Sequence, residues 1–247
     1  MNLDIIYHDP YFVAINKPPG LLVHRSPIAR QESRFAIQLL RDQIGQRVYP
    51  IHRLDRPTSG VLLFALNPED SATVQQQFAE AAVEKTYLAI CRGYTPDTLY
   101  IDHPVKTVVD KFDHHRDNAD RKPAQTVLSS LGRCELNIAV GKYPTTRYSL
   151  VKLVPRTGRR HQLRAHMKHI SHPIIGDAKY GRSEHNRFFQ QQFDCQRLLL
   201  AAIRLRFFHP IQQQTVTLCA SPGEDFCQIA QRLGWQKELV MEISDAT

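Results

Sequence analysis

The alternation of hydrophobic and polar positions predicts a chain of mixed strands and helices. Residues 11–16 and 61–66 are apolar runs with the length of buried strands, and the first run ends at the turn sequence Lys17-Pro18-Pro19-Gly20. Apolar residues at helical spacing predict helices over 33–44 and 70–82. The same criteria predict further strands over 86–91, 135–140, 147–154, 198–207 and 215–219, and further helices over 159–170 and 224–233. Because strands and helices do not alternate strictly, we expect an α+β fold with a mixed, mostly antiparallel central sheet and flanking helices.

A polar stretch over residues 93–125 separates two parts of the chain. We interpret this stretch as a long loop or a small excursion from the sheet. A chain of 247 residues is long enough for one large domain with a well-buried core. We therefore expect a single domain over 1–247 with two subdomains, roughly 1–125 and 126–247.

Composition excludes several classes of protein. The apolar fraction of 42% and the charged fraction of 23% are ordinary for a globular domain and exclude a disordered or fibrous chain. The longest apolar runs, over 61–66 and 198–203, are far shorter than the roughly 20 residues that span a bilayer. The amino terminus lacks the pattern of a secretory signal, and no two of the five cysteines form a CxxC pair. These features predict a cytoplasmic protein without a membrane partner and with reduced thiols.

Positive charge is concentrated in one segment. Lys and Arg number 32 against 24 Asp and Glu, which leaves a net charge of +8. Residues 136–176 contain no acidic residue, and their eight cations equal the whole excess. A run of cations is often a solvated face with acidic partners elsewhere in the fold, but three arginines surround the start of a predicted helix, which suits a phosphate backbone. We expect RNA backbone contacts from Arg147, Arg156, Arg159, Arg160 and Lys168.

The loop before the apolar run 61–66 carries a candidate catalytic carboxylate. Asp55 lies between Arg53 and Arg56, two residues before Pro57. A neighbouring cation favours the ionised form of an Asp, so this carboxylate can act as a nucleophile or a base. The alternative is a purely structural Asp that caps the turn and pairs with one of the arginines.

Five sequence blocks together resemble the RluA-type pseudouridine synthases. His52-Arg53-Leu54-Asp55 followed by Thr58-Ser59-Gly60 is similar to the signature block of that family. The other blocks occur in the family's order and cover most of the chain. They are Asn16-Lys17-Pro18-Pro19-Gly20, Lys85-Thr86-Tyr87, Thr157-Gly158-Arg159-Arg160-His161-Gln162-Leu163-Arg164, and His172-Pro173-Ile174-Ile175-Gly176-Asp177 followed by Tyr180-Gly181.

The resemblance implies a pseudouridine synthase fold with a catalytic cleft, and a reaction that converts a uridine in RNA into its C5-glycoside isomer. It implies Asp55 as the essential carboxylate, without fixing whether Asp55 attacks the sugar, attacks the base or removes a sugar proton. It also implies that Arg53 fills the space of the flipped nucleotide, that Tyr87 packs on the extruded base and that Arg164 pairs with Asp55. Lys17 is a further candidate for the cleft. The isomerisation needs no cofactor, and we expect a monomer.

Finer blocks resemble the branch of the family that modifies uridine 65 of tRNA. They are Arg41-Asp42-Gln43-Ile44-Gly45-Gln46, Asp110-Lys111-Phe112 and Gly141-Lys142-Tyr143-Pro144-Thr145-Thr146-Arg147-Tyr148. The resemblance favours tRNA as the substrate. Because the first family block already begins at Asn16, we expect no separate amino-terminal RNA-binding domain. A ribosomal-RNA pseudouridine synthase and a non-catalytic RNA-binding protein are the alternatives.

Two groups of histidines suggest a metal site, which we consider unfavourable. Four histidines lie close together in the sequence, but arginines and lysines crowd the same segment and would repel a dication. Asp113-His114-His115 is similar to a motif of metal-dependent phosphoesterases, but no apolar strand precedes it and the other acidic motifs are missing. We therefore expect no metal. The four histidines are His161, His166, His169 and His172.

Overall fold

The computed structural model describes residues 2–24, 34–106 and 121–244. The chain forms two compact units, the first made of residues 1–88 and 197–247 and the second of residues 89–196. This division differs from the expected boundary near residue 125, because the carboxy-terminal strands pair with strands of the amino-terminal part. The acidic and histidine motifs within 110–115 lie outside the described residues.

The first unit is built on a mixed sheet with helices. The strands that it contains whole are β1 (Asp4–His8), β2 (Phe12–Lys17), β3 (Tyr49–Pro50), β4 (Ser59–Ala65), β11 (Leu200–His209) and β12 (Gln214–Cys219). Its helices are α1 (Ala36–Ile44), α2 (Pro68–Ala79), α5 (Glu224–Arg232) and α6 (Gln236–Ser244). The strand order is β1-β2-β4-β11, with β3 paired to β4 and β12 paired to β11. These pairs are antiparallel except β4 with β11, which is parallel. The mixed, mostly antiparallel sheet is thus confirmed.

Strand β4 lies at the centre of this unit because its apolar run covers both faces of the sheet. All seven of its residues are buried. Val61 and Leu63 belong to one hydrophobic cluster, and Leu62 and Phe64 belong to the other. A strand that is buried on both faces reads as a continuous apolar run, which is why its position could be predicted from the sequence.

Helix α2 begins two residues before its predicted start. Asn67 is the capping residue, and its side-chain oxygen accepts a hydrogen bond of 2.8 Å from the backbone N–H of Asp70. Pro68 takes the first helical position, where its missing N–H costs no helical hydrogen bond. Among the described helices none is long and apolar enough to cross a membrane.

The second unit contains a long antiparallel hairpin. Strand β5 (Glu84–Arg92) begins in the first unit and ends in the second. The other elements of the second unit are β6 (Thr98–Asp102), β7 (Val105–Lys106), β8 (Arg121–Lys122), β9 (Gln125–Leu136), β10 (Thr146–Pro155), α3 (Gln162–His169) and α4 (Ser183–Phe193). β9 pairs with β10 on one side and β6 on the other, while β7 pairs with β8.

Three parts of this unit differ from the sequence prediction. The polar stretch 93–125, interpreted as a long loop or a small excursion from the sheet, contains strand β6, which pairs with β9 in the sheet. Only one of the five residues of β6 is buried, so its polar sequence gave no strand pattern. The strand predicted over 135–140 is wrong beyond residue 136, because the hairpin turns there and Gly141 adopts a φ of 80°. Helix α4 was not predicted, since its buried face includes a histidine. The His185 Nδ1 lies 2.9 Å from the Tyr148 hydroxyl, and its Nε2 accepts a hydrogen bond from Arg92.

Candidate active site

The loop that carries Asp55 is anchored by its apolar and turn residues. Ile51 and Leu54 are buried on this loop between β3 and β4. The backbone N–H of Thr58 donates a hydrogen bond of 3.0 Å to the carbonyl of Asp55, which closes a turn. The Asp55 side chain is half-buried. The loop therefore holds the Asp55 backbone firmly and leaves the residue partly exposed.

The end of this loop is fixed by a close approach of two strands. Gly60 has a φ of +110°, and a Cβ at this position would lie 2.0 Å from the carbonyl oxygen of Ala202. Gly60 and Ala202 are partners in the parallel pairing of β4 and β11. Only glycine fits such a conformation and such a contact. The Thr-Ser-Gly part of the motif therefore sets the position of the loop against β11.

His52 stabilises the loop. Its Nε2 accepts a hydrogen bond of 3.1 Å from the backbone N–H of Leu63. Its ring stacks on Phe78 with the centroids 4.8 Å apart. Burial, with a smaller contribution from the nearby Lys85 ammonium, lowers the pKa of His52 to about 3. His52 is therefore neutral and serves as a hydrogen-bond acceptor.

Lys17 joins the Asp55 loop to the turn after β2. Its side chain is fully buried. Its Nζ donates hydrogen bonds to the carbonyls of Pro18 at 2.9 Å, Leu21 at 2.9 Å and Arg56 at 3.2 Å. Three donors are what an ammonium offers. Burial, together with the smaller repulsion from Arg197, lowers the pKa of Lys17 to about 7, and attraction to Asp55 opposes this shift. The predicted cleft residue Lys17 is thus within electrostatic reach of Asp55.

Arg197 was missed by the sequence reasoning. Its side chain is almost fully buried, and its Nη2 donates a hydrogen bond of 2.5 Å to the Ser59 hydroxyl. Its Nη1 pairs with Asp225 at 3.1 Å and donates to the carbonyl of Pro222. Arg197 therefore connects the end of the Asp55 loop to the start of helix α5. None of the five motif blocks contains it, so the sequence offered no signal.

Tyr87 places an aromatic ring near Asp55. Its ring is half-buried and packs against the cluster that contains Leu54 and Leu62. Burial and the negative charge of Asp55 both raise the pKa of the Tyr87 hydroxyl. The phenol therefore stays protonated at physiological pH. The first unit thus brings together the predicted residues Lys17, Asp55 and Tyr87.

Arg53 is exposed on the same loop. Burial lowers the pKa of His24, and the positive charge of Arg53 lowers it further, so Arg53 lies near this histidine. The role of Arg53 in filling the space of a flipped nucleotide remains a prediction.

Arg164 forms a buried ion pair in the second unit. Its Nε donates to Asp177 Oδ2 at 2.7 Å and its Nη2 donates to Asp177 Oδ1 at 2.9 Å. Burial alone would raise the pKa of Asp177, but the bonds from Arg164 and from the backbone of Tyr180 and Lys179 outweigh it and lower that pKa. Asp177 belongs to one of the motif blocks, but the sequence did not identify it as an ion-pair partner. The pairing of Arg164 with Asp55 remains a prediction.

The cations expected to contact RNA all belong to the second unit. Arg147 is exposed, pairs with Glu135 at 3.1 Å and lies over the Tyr94 ring at 5.0 Å, so its charge is partly neutralised. The Nε of Arg159 donates to the carbonyl of Pro123 at 3.1 Å. The remaining members of this group have exposed side chains, and they are Arg156, Arg160 and Lys168.

The histidines considered as metal ligands make hydrogen bonds and ring contacts within the protein. His166 donates from Nε2 to the carbonyl of His103, and His172 donates from Nδ1 to the carbonyl of Arg92. His169 stacks on His103 with the ring centroids 3.6 Å apart. Within the described ranges, no group of three or more His, Cys, Asp or Glu side chains could hold a metal ion.

Comparisons with known proteins identify the family. Residues 11–169 match the RNA pseudouridylate synthase family. The chain is 51% identical to tRNA pseudouridine synthase C of Pasteurella multocida, with 95% of this chain and 98% of the relative covered. It is 47% identical to tRNA pseudouridine synthase C of Vibrio parahaemolyticus, with 97% and 98% covered.

A solved structure extends the match to the fold. Human RNA Pseudouridylate Synthase Domain Containing 1 aligns with a TM-score of 0.68 and 28% identity, over 89% of this chain and 83% of that one. The resemblance of the motif blocks is thereby confirmed. The family match covers well over half of the chain, and the chain belongs to the RNA pseudouridylate synthase family.

Proposed function

We propose that this protein isomerises a uridine of tRNA to pseudouridine, at the position of uridine 65, with Asp55 as the essential carboxylate. The observation that carries the proposal is the grouping of three residues. Asp55, on the loop with the family signature, lies within electrostatic reach of the buried Lys17 and of Tyr87. Relatives that match over nearly the full length are named tRNA pseudouridine synthase C, which supports tRNA as the substrate. The protein acts as a monomer without a cofactor.

The reaction is an isomerisation in which atoms and electrons balance within the nucleoside. The bond between the sugar C1′ and N1 of uracil breaks, the uracil rotates while bound, and C1′ bonds to C5. The proton at C5 is released, and N1 gains a proton. The Asp55 carboxylate is the group that assists this rearrangement, and its partly exposed position allows contact with a nucleoside.

The target uridine has to leave its helix before Asp55 can reach it. Base flipping costs a few kcal/mol, and stacking of a base on an aromatic side chain contributes about 1–3 kcal/mol. Tyr87 provides the aromatic surface near Asp55. The exposed Arg53 is placed to occupy the space that the uridine vacates. These two side chains together offset much of the flipping cost.

Tritium release tests this function directly. We expect purified protein to release tritium from a tRNA transcript labelled at C5 of its uridines, up to one tritium per tRNA. A transcript with cytidine at position 65 serves as the control and releases none. Release from ribosomal RNA but not from tRNA would reassign the substrate to ribosomal RNA. Tight RNA binding without any release would favour the non-catalytic RNA-binding protein.

Substitution of Tyr87 distinguishes stacking from hydroxyl chemistry. We expect Tyr87→Ala to lower kcat/KM by about 10- to 100-fold, because the flipped base loses its aromatic partner. Tyr87→Phe keeps the ring and retains activity within about threefold, since the protonated hydroxyl takes no part. Steady-state tritium release measures both variants. Equal losses for the Phe and Ala variants would instead assign the role to the hydroxyl group.

A further inference from the structure

A cluster of cations surrounds one tyrosine in the second unit. Arg164 lies 5.3 Å from the centroid of the Tyr180 ring, Lys179 lies 5.4 Å from it and Lys168 lies 5.9 Å from it. Arg164 and Lys168 come from helix α3, whereas Lys179 and Tyr180 come from the loop before α4. Attraction between a cation and an aromatic face stabilises each contact. Three positive charges are thus held within a small space by two separate segments.

The loop that carries Lys179 and Tyr180 is rigid. Asp177 Oδ1 accepts hydrogen bonds from the backbone N–H groups of Lys179 at 2.9 Å and Tyr180 at 3.0 Å. A Cβ at Gly181 would lie 2.2 Å from the carbonyl oxygen of Asp177. Asn186 donates to that same carbonyl and accepts from the backbone of Gly176. The lysine and the tyrosine are therefore held in place before any ligand binds.

The carboxylate of Asp177 is already engaged by one member of this cluster. Both oxygens of Asp177 accept hydrogen bonds from Arg164. Within the described part of the chain, neither Lys168 nor Lys179 forms an ion pair with a carboxylate. Both lysine side chains are exposed. Two exposed ammonium groups that lie near one ring and form no ion pair with any described carboxylate favour an anion from outside the protein.

The edge of this cluster holds a strained residue. His161 precedes helix α3 and has a φ of 59°, a conformation that L side chains rarely adopt. Its Nδ1 lies 3.2 Å from the Tyr180 hydroxyl, and the two rings meet edge to face at 5.7 Å. This contact restrains the Tyr180 ring next to the start of helix α3. Strain that the surroundings maintain in this way is typical of a binding or catalytic site.

We propose that Lys168 and Lys179, held around Tyr180, bind one backbone phosphate of the RNA substrate. This proposal rests on the proposed function, because RNA is the polyanion that the enzyme binds. Ammonium groups bind a phosphodiester as point charges, with no reading of sequence. Tyr180 acts as a positioning residue that brings the two lysines together. The site sets the register of the RNA along the second unit.

The test compares single lysine variants by RNA affinity and by its salt dependence. We expect Lys168→Ala and Lys179→Ala each to weaken binding of an unmodified tRNA transcript about three- to fivefold at 0.1 M salt, and the double variant about tenfold. The slope of log Kd against log salt becomes shallower by about 0.7–0.9 in the double variant, as for one phosphate. KM rises with the loss of affinity, and kcat stays unchanged.

Two further variants separate the site from general charge and from folding. Lys237→Ala removes one exposed lysine from α6 in the first unit and leaves affinity and slope unchanged. Tyr180→Phe keeps the ring and the affinity, whereas Tyr180→Ala weakens binding as much as the double lysine variant. Thermal unfolding verifies that each variant is folded.

The proposal is overturned if the Lys179 variant binds like the wild type, or if Lys237→Ala has the same effect as Lys179→Ala. Failure of the proposed function appears separately, as a wild-type protein that releases no tritium. RNA affinity is measured independently of turnover, so the two failures are distinguishable.

Discussion

Replacement of Asp55 by Asn or Ala is expected to lower tritium release from tRNA by at least about 10³-fold. Asp55 is the partly exposed carboxylate residue of the signature loop, and Lys17 and Tyr87 both lie within reach of its charge. Asn is close to Asp in size and keeps hydrogen-bonding capacity but carries no charge. Equal losses in the two variants would show that the negative charge, rather than the shape of the side chain, is required.

The measurement includes RNA affinity and a matched carboxylate. We expect Kd for the tRNA transcript to stay within about threefold in both variants, because phosphate contacts dominate binding. Asp42 lies in the same unit, is exposed and pairs with an adjacent arginine at 2.7 Å. Asp42→Asn should therefore retain full activity. Normal turnover in Asp55→Ala would remove the basis of the proposed mechanism.

The sequence predicted the elements whose burial is uniform along the chain. Strand β4 is buried on both faces and β10 is largely buried, and both were predicted within two residues of their observed ends. Strand β9 has mostly half-exposed residues, so its pattern was weak and the predicted strand was displaced toward the turn. Helix α4 uses His185 as part of its buried face, which no hydrophobic pattern reveals.

The predicted site residues differ in how well local sequence marks them. Asp55, Lys17 and Tyr87 each belong to a motif block, and the first unit brings them together. Asp177 also lies in a motif block, but its partner Arg164 is 13 residues away along the chain. Arg197 meets Ser59 across 138 residues and lies in no motif block. Such contacts depend on the pairing of β4 with β11, which sequence spacing does not specify.

The three carbonyl contacts of Lys17 make it a clamp on the Asp55 loop. Its Nζ holds the turn at Pro18 and Leu21 to the carbonyl of Arg56, the residue after Asp55. The backbone N–H of Gly20 also donates to the carbonyl of Arg56, and the Arg56 Nε donates to the carbonyl of Gly20. A neutral amine has only two N–H donors, so deprotonation of Lys17 releases one carbonyl and removes a positive charge near Asp55.

We expect Lys17→Met to lower kcat by about 100-fold, because three backbone carbonyls lose the donor that they share and the Asp55 loop shifts. Met has a similar length and carries no charge. Tritium release at saturating tRNA measures the effect, and RNA affinity stays close to that of the wild type. Lys142→Met, on the exposed hairpin turn of the second unit, is the control and retains kcat. A Lys17→Met enzyme with normal kcat would show that the clamp does not position Asp55.

The pH dependence gives the same hypothesis a second test, with opposite signs for activity and stability. The pKa of Lys17 is lowered to about 7 in the folded protein, against an ordinary value of 10.5 in the unfolded chain. Between these values the unfolded chain binds more protons, so the contribution of Lys17 to the free energy of unfolding increases as pH rises. Activity moves the other way, because the clamp loses its third donor as pH rises through about 7.

We therefore expect wild-type kcat to fall above about pH 7 while chemical denaturation shows no loss of stability from Lys17. In Lys17→Met, kcat no longer falls above about pH 7. The increase in the free energy of unfolding that Lys17 contributes as pH rises is also absent from this variant. The comparison separates a pH effect on positioning from unfolding of the protein. If wild-type kcat stays constant well above pH 7, the three carbonyls do not need an ammonium to hold Asp55 in place.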